Sequence, residues 1–169
     1  MKPIHYIIGV TAAFMLIPRR ASNGGSEELS YLGRDGLPRG IRNNNPGNIR
    51  ITQTGWKGKV PNAQNTDGAF EQFQSYKWGV RAMTKLLINY MKVKKLRTLR
   101  QIIGTYAPSS ENDTNAYINR VSSETGFNPD WPLSPDFSTL RALVKSMAKV
   151  ENGREAVSAS QFAEAWKLI

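Results

Sequence analysis

The run RGIRNNNPGNIR at positions 39–50 constrains the fold more than any other stretch of the chain. Asparagine before proline favours extended or turn backbone, and glycine takes positive φ angles that other residues resist. Asn43, Asn44 and Asn45 running into Pro46, Gly47 and Asn48 therefore predict a loop. Arg39, Arg42 and Arg50 frame it, and the ordered elements have to pack around it. Side-chain amides both donate and accept hydrogen bonds. Such a loop either satisfies its own backbone or grips a hydroxyl-rich ligand, and the residues alone leave both open.

What the chain lacks narrows the chemistry. It has no cysteine, and its one histidine, His5, lies in an apolar N-terminal run. Serine-histidine triads, cysteine-histidine dyads and histidine- or cysteine-based zinc sites are thus excluded. No metal and no cofactor is expected. In a hydrolytic enzyme of this composition, acid–base work falls to Asp, Glu, Lys or Tyr. Lys and Arg number 23 against 13 Asp and Glu, a formal net charge of +10. Charge of that size attracts polyanions, whether nucleic acid, lipid headgroups or the anionic polymers of a bacterial envelope.

In chain order, residues 4–17 are almost entirely apolar, with Lys2 before and Arg19-Arg20 after. The run is short for a membrane span but fits an export signal, so residues 1–20 are expected to be a membrane anchor or export signal. Residues 21–36, rich in Ser and Gly, read as a flexible linker, with the folded domain over 37–169. Ile49, Ile51, Trp56 and Val60, around Gly55 and Gly58, predict a small β element, with a turn at Asp67-Gly68 and a short strand over 69–73. Helical spacing then takes over. Val80, Met83, Leu87, Tyr90 and Met91 form one face, with Arg81, Lys85 and Lys92 opposite. Thr98 to Gln101 reads as a capping box, Asp113 precedes another helix, Ser134-Pro135 starts a further one that Gly153 stops, and Ser158 to Gln161 opens the last. The predicted fold class is α+β, helix-dominated: a small β element followed by four or five helices.

Among carboxylates, Glu111 sits where one helix breaks at Pro108 and another begins. It reads as an N-terminal helix cap or as a general acid raised by apolar neighbours Tyr106 and Tyr117. Asp67 reads as a turn residue or as a second carboxylate across a cleft. Glu151, before Asn152-Gly153, reads as a helix boundary or as a reserve catalytic acid. The basic cluster at 92–100 reads as a solvated helix end or a polyanion contact. Ser146 to Lys149 matches a Ser-x-x-Lys spacing without any companion motif.

Taken together, RGIRNNNPGNIR, Trp56-x-Gly58, Asp67-x-x-Phe70-x-x-Phe73, Gly79-Val-Arg81-Ala82 and Tyr106-Ala-Pro-x-x-Glu111-Asn112-x-Thr114 resemble one family. It comprises bacteriophage and prophage virion proteins described as murein-degrading, with a lysozyme-like, lytic-transglycosylase-type fold. The resemblance spans roughly Pro38 to Gly153. It implies a peptidoglycan substrate, cell-wall degradation during host penetration or lysis, and contact with other virion proteins. Nucleic acid is not the expected partner. The implied placement is in the virion or host periplasm, held to the membrane by the N-terminal segment. By the same resemblance Glu111 is the catalytic acid, and Asn44, Asn45, Asn48, Asp67, Tyr106 and Asn112 face substrate. The implied reaction is cleavage between N-acetylmuramic acid and N-acetylglucosamine by a lytic transglycosylase or muramidase. Rival readings are a murein endopeptidase and a non-catalytic protein that binds wall or nucleic acid.

Overall fold

Residues 28–110 and 113–169 are described by the structure, a computed structural model. They form six α-helices: α1 Arg39–Arg42, α2 Tyr76–Lys92, α3 Leu99–Tyr106, α4 Thr114–Thr125, α5 Phe137–Asn152 and α6 Ala159–Trp166. Side-chain acceptors fix most of the helix starts. Thr98 and Gln101 exchange hydrogen bonds as a capping box on α3, and Ser158 and Gln161 do the same on α6. Asp113 caps α4 by accepting from the Ala116 amide. The start of α5 lies just beyond the expected Ser134-Pro135, because Asp136 takes the Thr139 amide at 2.9 Å and places its charge at the positive end of the helix dipole. Gly126 and Gly153 end α4 and α5 in the left-handed conformation.

The longest helix, α2, packs against α3, α5 and α6. Its Val80, Met83 and Leu87 are wholly buried beside Leu140, Leu143 and Met147 of α5 and Phe162 of α6 in one apolar cluster. Burial of each such side chain stabilises the fold by about 1.5–3 kcal/mol. Arg81 does not lie on the solvent face that its charge suggests. It is 8% exposed, and its Nε donates to the Leu168 carbonyl at 2.8 Å. Gly79 lets the asparagine loop press on α2, since a β-carbon there would run into the Asn44 carbonyl.

The expected β element is absent among the described residues, which contain only three isolated bridges: Arg50 with Phe70, Lys59 with Phe73 and Thr98 with Pro132. The segments do lie side by side, with backbone bonds from Ile51 to Ala69, Glu71 to Ile49 and Val60 to Gln72. Side chains interrupt the ladder. Asp67 Oδ1 accepts from the Ala69 and Phe70 amides, and Glu71 Oε1 accepts from the Thr52 amide. Such local acceptors compete with strand pairing. The fold is therefore helical rather than α+β, and the lysozyme-like arrangement with a β element is corrected on that point.

The expected anchor helix is corrected as well. No described helix is long and apolar enough to cross a membrane, and the run at 4–17 lies outside the described residues. The membrane-held placement in virion or periplasm that rested on such a helix is overturned with it. Part of the expected linker is docked: the Tyr76 amide donates to the Leu29 carbonyl, and Tyr31 packs edge-on against Tyr76 at 5.0 Å.

Candidate active site

The asparagine loop is built largely from its own side chains. Asn43 Nδ2 donates to Asp67, and Asn43 Oδ1 accepts from Gln72. Asn44 Nδ2 donates to the Phe73 carbonyl and Ser30 Oγ, while its Oδ1 accepts from the Tyr31 amide. Asn45 Nδ2 donates to the Ile49 and Glu71 carbonyls, and its Oδ1 accepts from the Ile49 amide. Asn44 and Asn45 are wholly buried and turn no polar atom toward a ligand. Asn44 and Asn48 hold φ of 52° and 45°, values that asparagine tolerates better than most residues.

Asn48 does something different. Its Nδ2 donates to Glu151 Oε2 at 3.0 Å, joining the loop to the C-terminal end of α5 across 103 positions of sequence. Tyr117 of α4 donates to Glu151 Oε1 at 3.0 Å and also lies 3.3 Å from the Met147 carbonyl. Tyr106, at the end of α3, donates to the Gly47 carbonyl. Next in sequence, Asn152 donates to the Pro46 and Ala148 carbonyls at 2.8 and 2.7 Å, fixing the loop against α5 a second time. Glu151 thus sits where the loop, α4 and α5 meet, beside two tyrosines.

Burial raises the Glu151 carboxyl above its ordinary value, and the Asn48 and Tyr117 hydrogen bonds, which favour the charged form, offset this only in part. The negative end of the α5 dipole acts in the same direction as burial. Burial and the nearby Glu151 charge both push the Tyr106 and Tyr117 hydroxyls well above their usual range, so each acts as a neutral donor. Glu151 retains partial exposure. A carboxyl that burial raises above its ordinary value, yet has two donors ready for its conjugate base, is suited to general acid–base work.

Gly40 makes this junction possible. A β-carbon there would stand 2.6 Å from Asn152 Oδ1 and 2.8 Å from Asn48 Oδ1. Both oxygens lack a hydrogen-bond partner among the described residues, so they crowd against the glycine rather than a donor.

Asp67 is engaged elsewhere. Arg39 grips it through two bonds of 2.7 Å, and Asn43 donates to it at 2.8 Å. Burial pushes its carboxyl up, but Arg39, Asn43 and the Phe70 and Ala69 amides outweigh burial and hold it far below the carboxylate range. Asp67 is therefore a charged latch on the loop, already ringed by donors of its own chain. Glu111 and Asn112 lie outside the described residues. Sequence reasoning missed Tyr117 as a partner of Glu151. It also missed Glu71, fully buried and paired with Lys59 at 2.8 Å. Among the described residues no three His, Asp or Glu side chains gather to hold a metal ion.

The chain is 36% identical over 118 residues to the bacteriophage protein named Protein P5 of Pseudoalteromonas phage PM2, a match covering 68% of this chain and 71% of that one. No family model matches the chain.

Proposed function

We infer, for a chain that belongs to the family of protein P5 of Pseudoalteromonas phage PM2, a glycosidase-type murein lytic activity with Glu151 as its general acid. The observation that carries this reading is the half-buried Glu151 carboxyl, raised by burial and held by Asn48 and Tyr117. The substrate class rests on the resemblance of residues 39–50, and the blocks after them, to phage murein-degrading proteins. Lysozyme-like enzymes place their acid at the end of a helix that precedes a β region. Glu151 departs from that pattern, since α5 follows the loop and the described residues hold no β element, so its assignment rests on its burial and its two hydrogen-bond donors alone. The task would be opening the wall for host penetration or lysis.

Protonated Glu151 gives its proton to the glycosidic oxygen as the bond to the muramyl C1 breaks and positive charge develops there. Asn48 and Tyr117 then donate to the carboxylate left behind. That carboxylate takes the proton from the muramyl C6 hydroxyl as O6 bonds to C1, which closes the anhydro ring and restores the acid. One carboxylate serves both steps, so the engaged state of Asp67 is no obstacle.

The test is mass spectrometry of purified murein treated with the full chain and with its Glu151→Gln and Glu111→Gln variants. Anhydromuropeptides from the parent and from Glu111→Gln, absent with Glu151→Gln, are expected. Loss with Glu111→Gln alone returns the acid to that residue. Cut peptide bridges on intact glycan would make the protein an endopeptidase, and no product at all would leave a binding protein.

A further inference from the structure

We propose that the polar pocket between α1 and the turn at 66–72 binds the charged end of a murein stem peptide, its carboxylate on Arg42 and its amine on Asp35. The proposal rests on the murein reading above and deepens it, since it names the part of the wall polymer held beside the glycan strand.

The pocket encloses about 270 Å³, and Asp35, Arg39, Arg42, Asn43, Asp67 and Gln72 are among its walls. Its floor is a closed network of buried amides. Asn43 and Gln72 are 2% and 5% exposed, and Gln72 donates to Asn43 Oδ1 at 3.0 Å. Asn43 in turn donates to Asp67, and Gln72 Oε1 accepts from the Thr66 amide at 3.0 Å. Arg39 is committed too: its fork closes on Asp67, and its guanidinium lies 4.4 Å from the centre of the Phe70 ring. Two charges on the rim are not. Arg42 and Asp35 are exposed, and neither side chain makes a hydrogen bond or ion pair among the described residues. The turn that carries Asp35 is bent by Gly33 and Gly36, at φ of 70° and 76°. It is tied to α1 by the Gly33 amide, which donates to the Arg42 carbonyl at 3.1 Å.

One free cation and one free anion over a floor that satisfies itself suit a zwitterionic ligand. The guanidinium fork matches a carboxylate, and the Asp35 carboxylate accepts from an ammonium. A stem peptide that ends in a diamino acid carries both groups on one residue. The volume fits an end of that size, since pockets for larger ligands run from roughly 300 to 1,000 Å³. A phosphate polymer is favoured less, because Asp35 opposes it and Arg39 is already spent on Asp67. Nucleic acid is favoured less again, because no aromatic side chain lines the pocket to stack a base. The pocket is separate from Glu151 but shares its loop. Between Arg39 and Arg42, Gly40 faces Asn48 and Asn152 beside Glu151. Asn43 and Asn48 are five positions apart, so their α-carbons stand at most about 18 Å from one another. A glycan strand at Glu151 therefore has its stems within reach of the pocket.

The experiment is calorimetric titration of the full chain with the synthetic tripeptide N-acetyl-L-alanyl-γ-D-glutamyl-meso-diaminopimelate. Two blocked forms accompany it, one amidated on the diaminopimelate carboxylates and one acetylated on its remaining amine. Arg42→Ala and Asp35→Asn should each weaken binding of the unblocked tripeptide about tenfold. Amidation should erase the difference between the parent and Arg42→Ala, and amine acetylation that between the parent and Asp35→Asn. Both side chains are exposed and unpaired, so binding should fall with no change in the thermal transition. A parent that does not bind the tripeptide, or variants that bind it equally well, would overturn the proposal. So would inorganic phosphate that binds through Arg42 as tightly as the tripeptide, which would mark a simple anion site. If the parent binds the tripeptide through both residues but releases no product from sacculi, the enzymatic reading fails and the pocket stands. If the parent releases product and the tripeptide does not bind, the pocket fails alone.

Discussion

At Glu151 two hydrogen bonds that favour the charged carboxylate lose to burial, and the sign of that balance governs how the residue titrates. In the unfolded chain the carboxyl titrates near its ordinary 4.5, whereas the folded protein keeps the proton to higher pH. The folded state then binds more protons between those two values. The favourable contribution is complete below the unfolded value and is lost as pH rises through the folded one. Glu151→Gln should therefore be more stable than the parent near about pH 7, with the difference gone by about pH 4. Urea midpoints at the two pH values check this, and a variant no more stable at neutral pH would mean the carboxyl is not raised. Tyr117→Phe removes a donor that lowers the Glu151 value, so its carboxyl should rise further. The alkaline limb of murein cleavage should move to higher pH, whereas a purely structural defect would lower activity equally across the profile. Gly40→Ala pushes a methyl into Asn48 and Asn152, and overpacking of that kind costs about 1–3 kcal/mol. Its thermal transition should fall and its cleavage with it, while an unchanged transition would show that the asparagine oxygens have room to move.

Among the elements, the loop from Asn43 to Phe73 owes its shape to a charged latch rather than to a sheet. The Asp67 carboxyl is depressed, so its contribution is present above 3.8, the ordinary value, and is lost as pH falls toward the folded one. Asp67→Asn should cost about 2 kcal/mol at neutral pH through weakened charged hydrogen bonds. The share due to Arg39, itself 44% exposed, is reduced by solvent screening. The gap from the parent should close as the pH of chemical denaturation is lowered below 3.8, and a constant gap would argue against a charged latch. Local rules made the helices readable. Thr98 with Gln101 and Ser158 with Gln161 form capping boxes that sequence spacing reveals, and Gly126 and Gly153 stop helices because they reach left-handed backbone. Alternating Ile49 and Ile51 read as strand because alternation carries no record of side-chain acceptors on the facing segment. Asn44 and Asn45 show their hydrogen-bonding capacity in sequence but not its direction, which here is inward. The partnership of Glu151 with Asn48 spans too much sequence for any periodicity to signal.

For the whole molecule, the consequence is that the core and the candidate site share α5. Met147 is fully buried in the central cluster, and its carbonyl lies at the Tyr117 hydroxyl that holds Glu151. Phe162 of α6 is buried to the same degree, but its ring neighbours are Phe137 and Trp166. Truncating either to alanine should cost about 3 kcal/mol. In a chain of this length that lowers the thermal transition by about 6–12 °C. Stability alone would not distinguish the two variants. Murein cleavage measured well below both transitions should, because the Met147→Ala cavity lets α5 relax where Tyr117 and Glu151 meet, whereas the Phe162→Ala cavity opens among α6 and the start of α5. Met147→Ala should therefore lose more turnover than Phe162→Ala at matched folded fraction. Equal turnover would show that the packing of α5 does not position Glu151, and that the hydrogen bonds from Asn48 and Tyr117 suffice to hold it.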